Sequence, residues 1–104
     1  MKWITIAPVD DFAPNSSRTV TVEGTRIAVF NLNGEFHAME GICTHEYKTL
    51  EGGTIEDGEV VCPWHGARFD IRTGEATCAP AYDPVDTFET RVEEGLVQVG
   101  WPDA

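Results

Sequence analysis

Basic residues are scarce in this chain. Seven Lys and Arg face eighteen Asp and Glu in 104 residues, a formal net charge of −11. Such a field repels phosphate backbones and anionic lipid surfaces, which argues against nucleic-acid and membrane partners. It favours basic patches on other proteins, although acidity alone also keeps a small protein soluble. Cysteine is scarce too. Three residues, Cys43, Cys62 and Cys78, are an odd number and argue against a closed disulfide framework. No apolar run approaches the roughly 20 residues of a membrane helix. The opening Met1-Lys2-Trp3-Ile4-Thr5-Ile6 lacks a signal peptide's apolar core and cleavage site. These absences lead us to expect a cytoplasmic, reducing environment.

Helix signals are also missing. Ten Gly and six Pro interrupt most windows of helical length. Only Val9–Ala13 and the stretch around Glu46–Leu50 could form a short helical turn. What is present is a series of β-branched and aromatic runs punctuated by turn residues. Strands are expected at Trp3–Ala7, Arg18–Val22, Arg26–Leu32, Glu35–Glu40, Glu59–Cys62, Ala67–Ile71, Thr87–Glu93 and Leu96–Val99. The turns between them include Glu23-Gly24-Thr25, Asn33-Gly34 and Glu94-Gly95. Eight or nine short strands imply an all-β fold, an antiparallel sandwich or barrel. The length fits one domain spanning residues 1–104.

Two clusters carry chemistry: Cys43-Thr44-His45 and Cys62-Pro63-Trp64-His65. The pattern is C-x-H, sixteen residues, then C-x-x-H. Two thiolates and two imidazoles form a metal-ligand set. Each cluster follows an expected strand and precedes Gly-containing sequence, so two loops could meet around a metal. Pro63 fixes φ and Gly66 allows close backbone passage. Two centres compete. One is a mononuclear Cys₂His₂ zinc site. The other is a two-iron cluster in which Cys₂ holds one iron and His₂ the other. Zinc fingers usually pair Cys with Cys and His with His along the chain. Here each loop supplies one of each, an order that suits a diamond-shaped cluster reached from both sides.

Cys43-Thr44-His45 followed by Cys62-Pro63-Trp64-His65-Gly66 closely resembles the two loops of Rieske proteins. In length and strand spacing the whole chain resembles the soluble Rieske ferredoxins of aromatic ring-hydroxylating dioxygenase systems. The resemblance implies a Rieske fold with a two-loop cluster-binding subdomain and one [2Fe–2S] cluster. It implies Cys43 and Cys62 on the inner iron, and His45 and His65 on the outer iron near solvent. It also implies a carrier that takes single electrons from a flavin-dependent reductase to a terminal oxygenase. Nothing in the sequence indicates a homodimer, and a monomer is expected.

The resemblance to the respiratory branch is weaker. Rieske subunits of cytochrome bc complexes carry an extra disulfide-bonded Cys in each loop, where this chain has Lys48 and Trp64. They place hydroxyl donors where this chain has Ala67 and Phe69. Loss of donors to cluster sulfur destabilises the reduced form and lowers the potential. A potential near the low end of the Rieske range, roughly −150 mV, follows.

Other residues are assigned plainer roles. Cys78 is expected to be an ordinary buried or loop thiol, and His37 to be structural or exposed. Trp64 serves loop packing, shielding or docking. Ala79-Pro80-Ala81 resembles the family's proline-containing supporting loop. Glu46, Tyr47 and Lys48 are bulkier than this stretch usually is in dioxygenase ferredoxins, which suggests a particular partner surface. With two His assigned to the cluster, only His37 remains, so the chain cannot build a 2-His-1-carboxylate oxygenase site and no catalytic residues are expected. The alternatives are a small Rieske subunit of an assimilatory nitrite reductase, a Rieske component of a diiron monooxygenase, and a zinc-bound structural protein.

Overall fold

The computed structural model describes residues 2–43, 48–49, 53–63, 66–78 and 84–102. Thirteen strands occur among them: β1 Lys2–Pro8, β2 Ser16–Val22, β3 Thr25–Leu32, β4 Glu35–Glu40, β5 Ile42–Cys43, β6 Lys48–Thr49, β7 Thr54–Glu56, β8 Glu59–Val61, β9 Arg68–Asp70, β10 Ala76–Cys78, β11 Thr87–Phe88, β12 Thr90–Glu93 and β13 Leu96–Trp101. One 3₁₀ turn, Val9–Asp11, lies within the stretch expected to turn. Lys48–Thr49, by contrast, is extended, which corrects the helical alternative there; Glu46, Tyr47 and Leu50 lie outside the described residues.

Among the described residues every strand pairing is antiparallel. The central sheet has the order β11-β4-β3-β2. A second sheet, β1-β13-β12, joins the chain's first and last strands, and a third, β10-β9-β8-β7, forms the subdomain that carries Cys62. The pair β5-β6 stands as a separate two-stranded ribbon.

Side-chain alternation along β3 explains how these layers stack. Ile27 and Val29 pack in one apolar cluster with Val97 and Val99 of β13. Ala28, Phe30 and Leu32 pack in the other with Val60, Phe69 and Ile71 of the Cys62 subdomain. Successive residues of a strand point to opposite faces, so β3 is buried on both and reads as a nearly continuous apolar run. Ile27 and Val29 are fully buried, and Phe30 is 1% exposed. Each such side chain contributes roughly 1.5–3 kcal/mol on burial. The one polar interruption, Asn31, is buried but satisfied: its amide donates to Phe12 O at 2.8 Å, and its Oδ1 accepts from Gly34 N at 2.7 Å.

Four two-residue hairpin turns set the registers. Glu23-Gly24, Asn33-Gly34, Asp57-Gly58 and Glu94-Gly95 all have positive φ at both residues. Type I′ turns require this, and their twist matches that of the flanking strands.

Candidate metal centre

The two segments that carry the expected ligands are closed in comparable ways. In the first, Cys43 of β5 pairs with Lys48 of β6, leaving four residues, Thr44 to Tyr47, between them. In the second, Cys62 N–H donates to Ala67 O at 2.7 Å, and Gly66 N–H donates back to Cys62 O at 3.1 Å. Again four residues, Pro63 to Gly66, lie between the closing pair. Gly66 has φ +73°, a left-handed conformation that costs glycine little. Each segment therefore starts on a Cys at or just past a strand end, and a His follows it in sequence.

Cys62 is a free thiol, 2% exposed, in the apolar cluster that contains Val60, Ala67 and Phe69. A thiol held at the base of a pinned loop and shielded from water suits a metal-thiolate bond, because the metal supplies the positive partner that the buried anion needs. Ala67 and Phe69 are both fully buried beside it. Neither side chain carries a hydroxyl.

Of the expected ligand set, the side chain of Cys62 alone lies within the description. Cys43 is placed by its backbone at the end of β5, and His45 and His65 lie outside the described residues. Trp64, Ala79-Pro80-Ala81, Glu46 and Tyr47 also lie outside them, and Lys48 is placed by its backbone. Among the described residues no three His, Cys, Asp or Glu side chains converge on a point. His37 faces away from any such role: its Nε2 bonds to Glu35 Oε1 at 3.1 Å. Cys78 ends β10, opposite Arg68 of β9.

Two features of the Cys62 subdomain have little signal in the sequence. First, Glu35 links the central sheet to the Cys62 subdomain, since Arg72 Nε donates to Glu35 Oε1 at 3.3 Å. The His37 hydrogen bond, and then the Arg72 hydrogen bond and charge, hold the Glu35 carboxyl below its ordinary value. Its partners lie two and 37 residues away, and only the short-range one has a sequence signal. Second, Arg68 follows Ala67 directly and is held by Glu59 at 3.2 Å and Glu56 at 3.3 Å, so its charge is already balanced.

Comparison with known proteins gives this geometry a family. The Rieske [2Fe–2S] domain model matches residues 2–89. The ferredoxin component of the naphthalene 1,2-dioxygenase system of Pseudomonas putida is 34% identical over 99 residues, 95% of each chain. The anthranilate 1,2-dioxygenase ferredoxin subunit of Burkholderia cepacia is 36% identical over 98 residues, covering 94% of this chain and 91% of that one. Among solved structures, a chain from the complex of reduced oxygenase and oxidized ferredoxin in carbazole 1,9a-dioxygenase superimposes with a TM-score of 0.90 at 34% identity, over 93% of this chain and 91% of the other. A putative NADH-dependent nitrite reductase small subunit from Mycobacterium tuberculosis shares the fold, with a TM-score of 0.88 at 22% identity over 99% of this chain and 97% of that one.

The chain belongs to the Rieske [2Fe–2S] domain family, and its all-β architecture is the Rieske fold. It carries one Rieske-type [2Fe–2S] cluster and serves as an electron-transfer component without substrate chemistry of its own. No helix among the described residues is long and apolar enough to cross a membrane.

Proposed function

We propose that Cys43, His45, Cys62 and His65 bind the cluster, the two Cys on one iron and the two His on the other. On this reading the chain is a single-domain, monomeric, low-potential carrier. It passes electrons from a flavin-dependent reductase to the terminal oxygenase of an aromatic-ring dioxygenase system. The observation that carries the assignment is the buried Cys62 thiol at the head of a four-residue loop pinned by the Cys62–Ala67 and Gly66–Cys62 backbone bonds. The matching closure at Cys43 and Lys48 supports a second, equivalent arm.

The cluster, when bound, accepts and releases one electron at a time. The chain's own residues do the rest. Cys62 supplies a thiolate from an apolar setting, and the pinned backbone keeps that thiolate in place in both redox states. Val60, Ala67 and Phe69 exclude water on its protein side. Without a hydroxyl at positions 67 and 69, the extra negative charge of the reduced state is poorly stabilised, which supports the low potential. The relatives named above support the dioxygenase setting, whereas the nitrite reductase subunit shares the fold alone.

Reconstitution tests this. Holoprotein added to an NADH-fed flavin reductase and a terminal aromatic-ring oxygenase should restore NADH-dependent oxygenation, and C62S protein should not. Equal oxygenation with and without the holoprotein would refute the carrier role.

A further inference from the structure

The β9–β10 turn holds a contact that neither the family match nor the ligand assignment explains. Asp70 Oδ1 accepts from the N–H groups of Arg72 at 2.8 Å and Thr73 at 3.2 Å, and Gly74 N–H donates to Asp70 O at 2.7 Å. This rigid turn presents Gly74 at φ +78° to the backbone of Val85, whose N–H donates to Gly74 O at 2.9 Å. The approach leaves no room for a side chain. A Cβ on Gly74 would lie 2.4 Å from Val85 O and 3.0 Å from Thr87 Cγ2. Val85 itself is 6% exposed and belongs to the same apolar cluster as Cys62, Ala67 and Phe69. Its neighbour Asp86 accepts from Glu40 N–H at 2.8 Å, which ties the same segment to the central sheet.

We propose that Gly74 is a positioning residue for the redox centre: its bare Cα lets the Val85 backbone seat on the β9–β10 turn, which closes the apolar layer behind Cys62. The inference rests on the reading that Cys62 is a cluster ligand. A methyl group at position 74 must push Val85 outwards, because the atom it meets is a backbone oxygen with no rotamer to change. The displaced layer admits water to the Cys62 side. Water near the cluster stabilises its more negative reduced form and raises its potential.

The glycines supply their own control. Gly95 has φ +76°, nearly that of Gly74, and a Cβ there would meet nothing within 4 Å. G95A therefore carries the left-handed backbone penalty without the collision. The test compares holo wild type, G74A and G95A by redox titration and by cluster release to an iron chelator. The expected result is an upward shift in midpoint potential and roughly tenfold faster release for G74A, with G95A matching wild type in both. A G74A protein that matches G95A in either readout overturns the inference.

Should G74A fail to yield holoprotein, V85A decides, since it thins the same layer without a collision. An upward shift with faster release supports the inference, and unchanged values overturn it. C62S separates the underlying reading: a wild-type cluster signal in C62S would sink the ligand assignment itself, whatever G74A shows.

Discussion

Cys62 and Ala67 face each other across the mouth of a four-residue loop, joined by a 2.7 Å hydrogen bond from the Cys62 N–H to the Ala67 carbonyl. The same bond that fixes the thiol also places the methyl group of a fully buried Ala67 in the apolar cluster around it. The pair thus sets both the position of the proposed ligand Cys62 and the polarity of its surroundings.

That relationship makes Ala67 a lever on potential. A67S introduces a hydroxyl into the Cys62 environment, where it can donate to sulfur. A hydrogen bond to a charged acceptor contributes about 1.5 kcal/mol, which for a one-electron couple corresponds to about 65 mV. Redox titration of A67S should therefore give a midpoint higher than wild type by roughly that amount. A lower or equal value would show that no donor reaches the cluster from this position.

Exchanging imidazole for thiolate tests the histidine assignments. H45C and H65C should each lose the Rieske visible and electron paramagnetic resonance signatures; any cluster retained should have a lower potential, as all-Cys clusters do. H37C, by contrast, alters a side chain already engaged with Glu35 and should keep the native spectrum. A native spectrum in H65C would remove His65 from the ligand set.

Acid stability should depend on Glu35. Its carboxyl is held below the ordinary value of 4.5 by the His37 hydrogen bond first and by Arg72 second. A depressed folded-state value contributes stability above the unfolded value, and that contribution disappears as pH falls through the folded one. Wild type should therefore have a higher urea midpoint than E35Q above about pH 5, with the gap closing as pH drops below the ordinary value. The effect is small because the group is exposed. A gap that widens in acid would contradict the assignment.

The acidic surface predicts salt-sensitive electron delivery. With a net charge of −11, encounter with a basic partner face should be steered at low ionic strength and screened as salt rises. Stopped-flow reduction of the terminal oxygenase by this protein should slow by roughly tenfold between 20 and 200 mM salt. A rate independent of salt would assign the acidity to solubility alone.

Much of this architecture is legible in the sequence. Asn33-Gly34 and Glu94-Gly95 mark their turns, and Glu35–Glu40 forms a strand with the bounds expected. Less legible are β7 and β10, three residues each, which are too short to show a period. Thr87–Glu93 reads as one strand but divides after Phe88, because β11 pairs with β4 whereas β12 pairs with β13. That switch between sheets is a tertiary choice with no local signal. The ligand motif stands out because Cys and His are rare in this chain. The Gly74–Val85 contact does not, since a glycine in a Thr-Gly turn looks the same whether its Cβ space is open or filled.

As proposed above, a Rieske cluster with no hydroxyl at positions 67 and 69 should carry electrons at low potential. The most direct test is a redox titration of the purified holoprotein followed by electron paramagnetic resonance. The expected result is a single one-electron transition with a Rieske spectrum and a midpoint of roughly −150 mV. A colourless zinc-loaded protein, or a Rieske signal with a midpoint above zero, would contradict it.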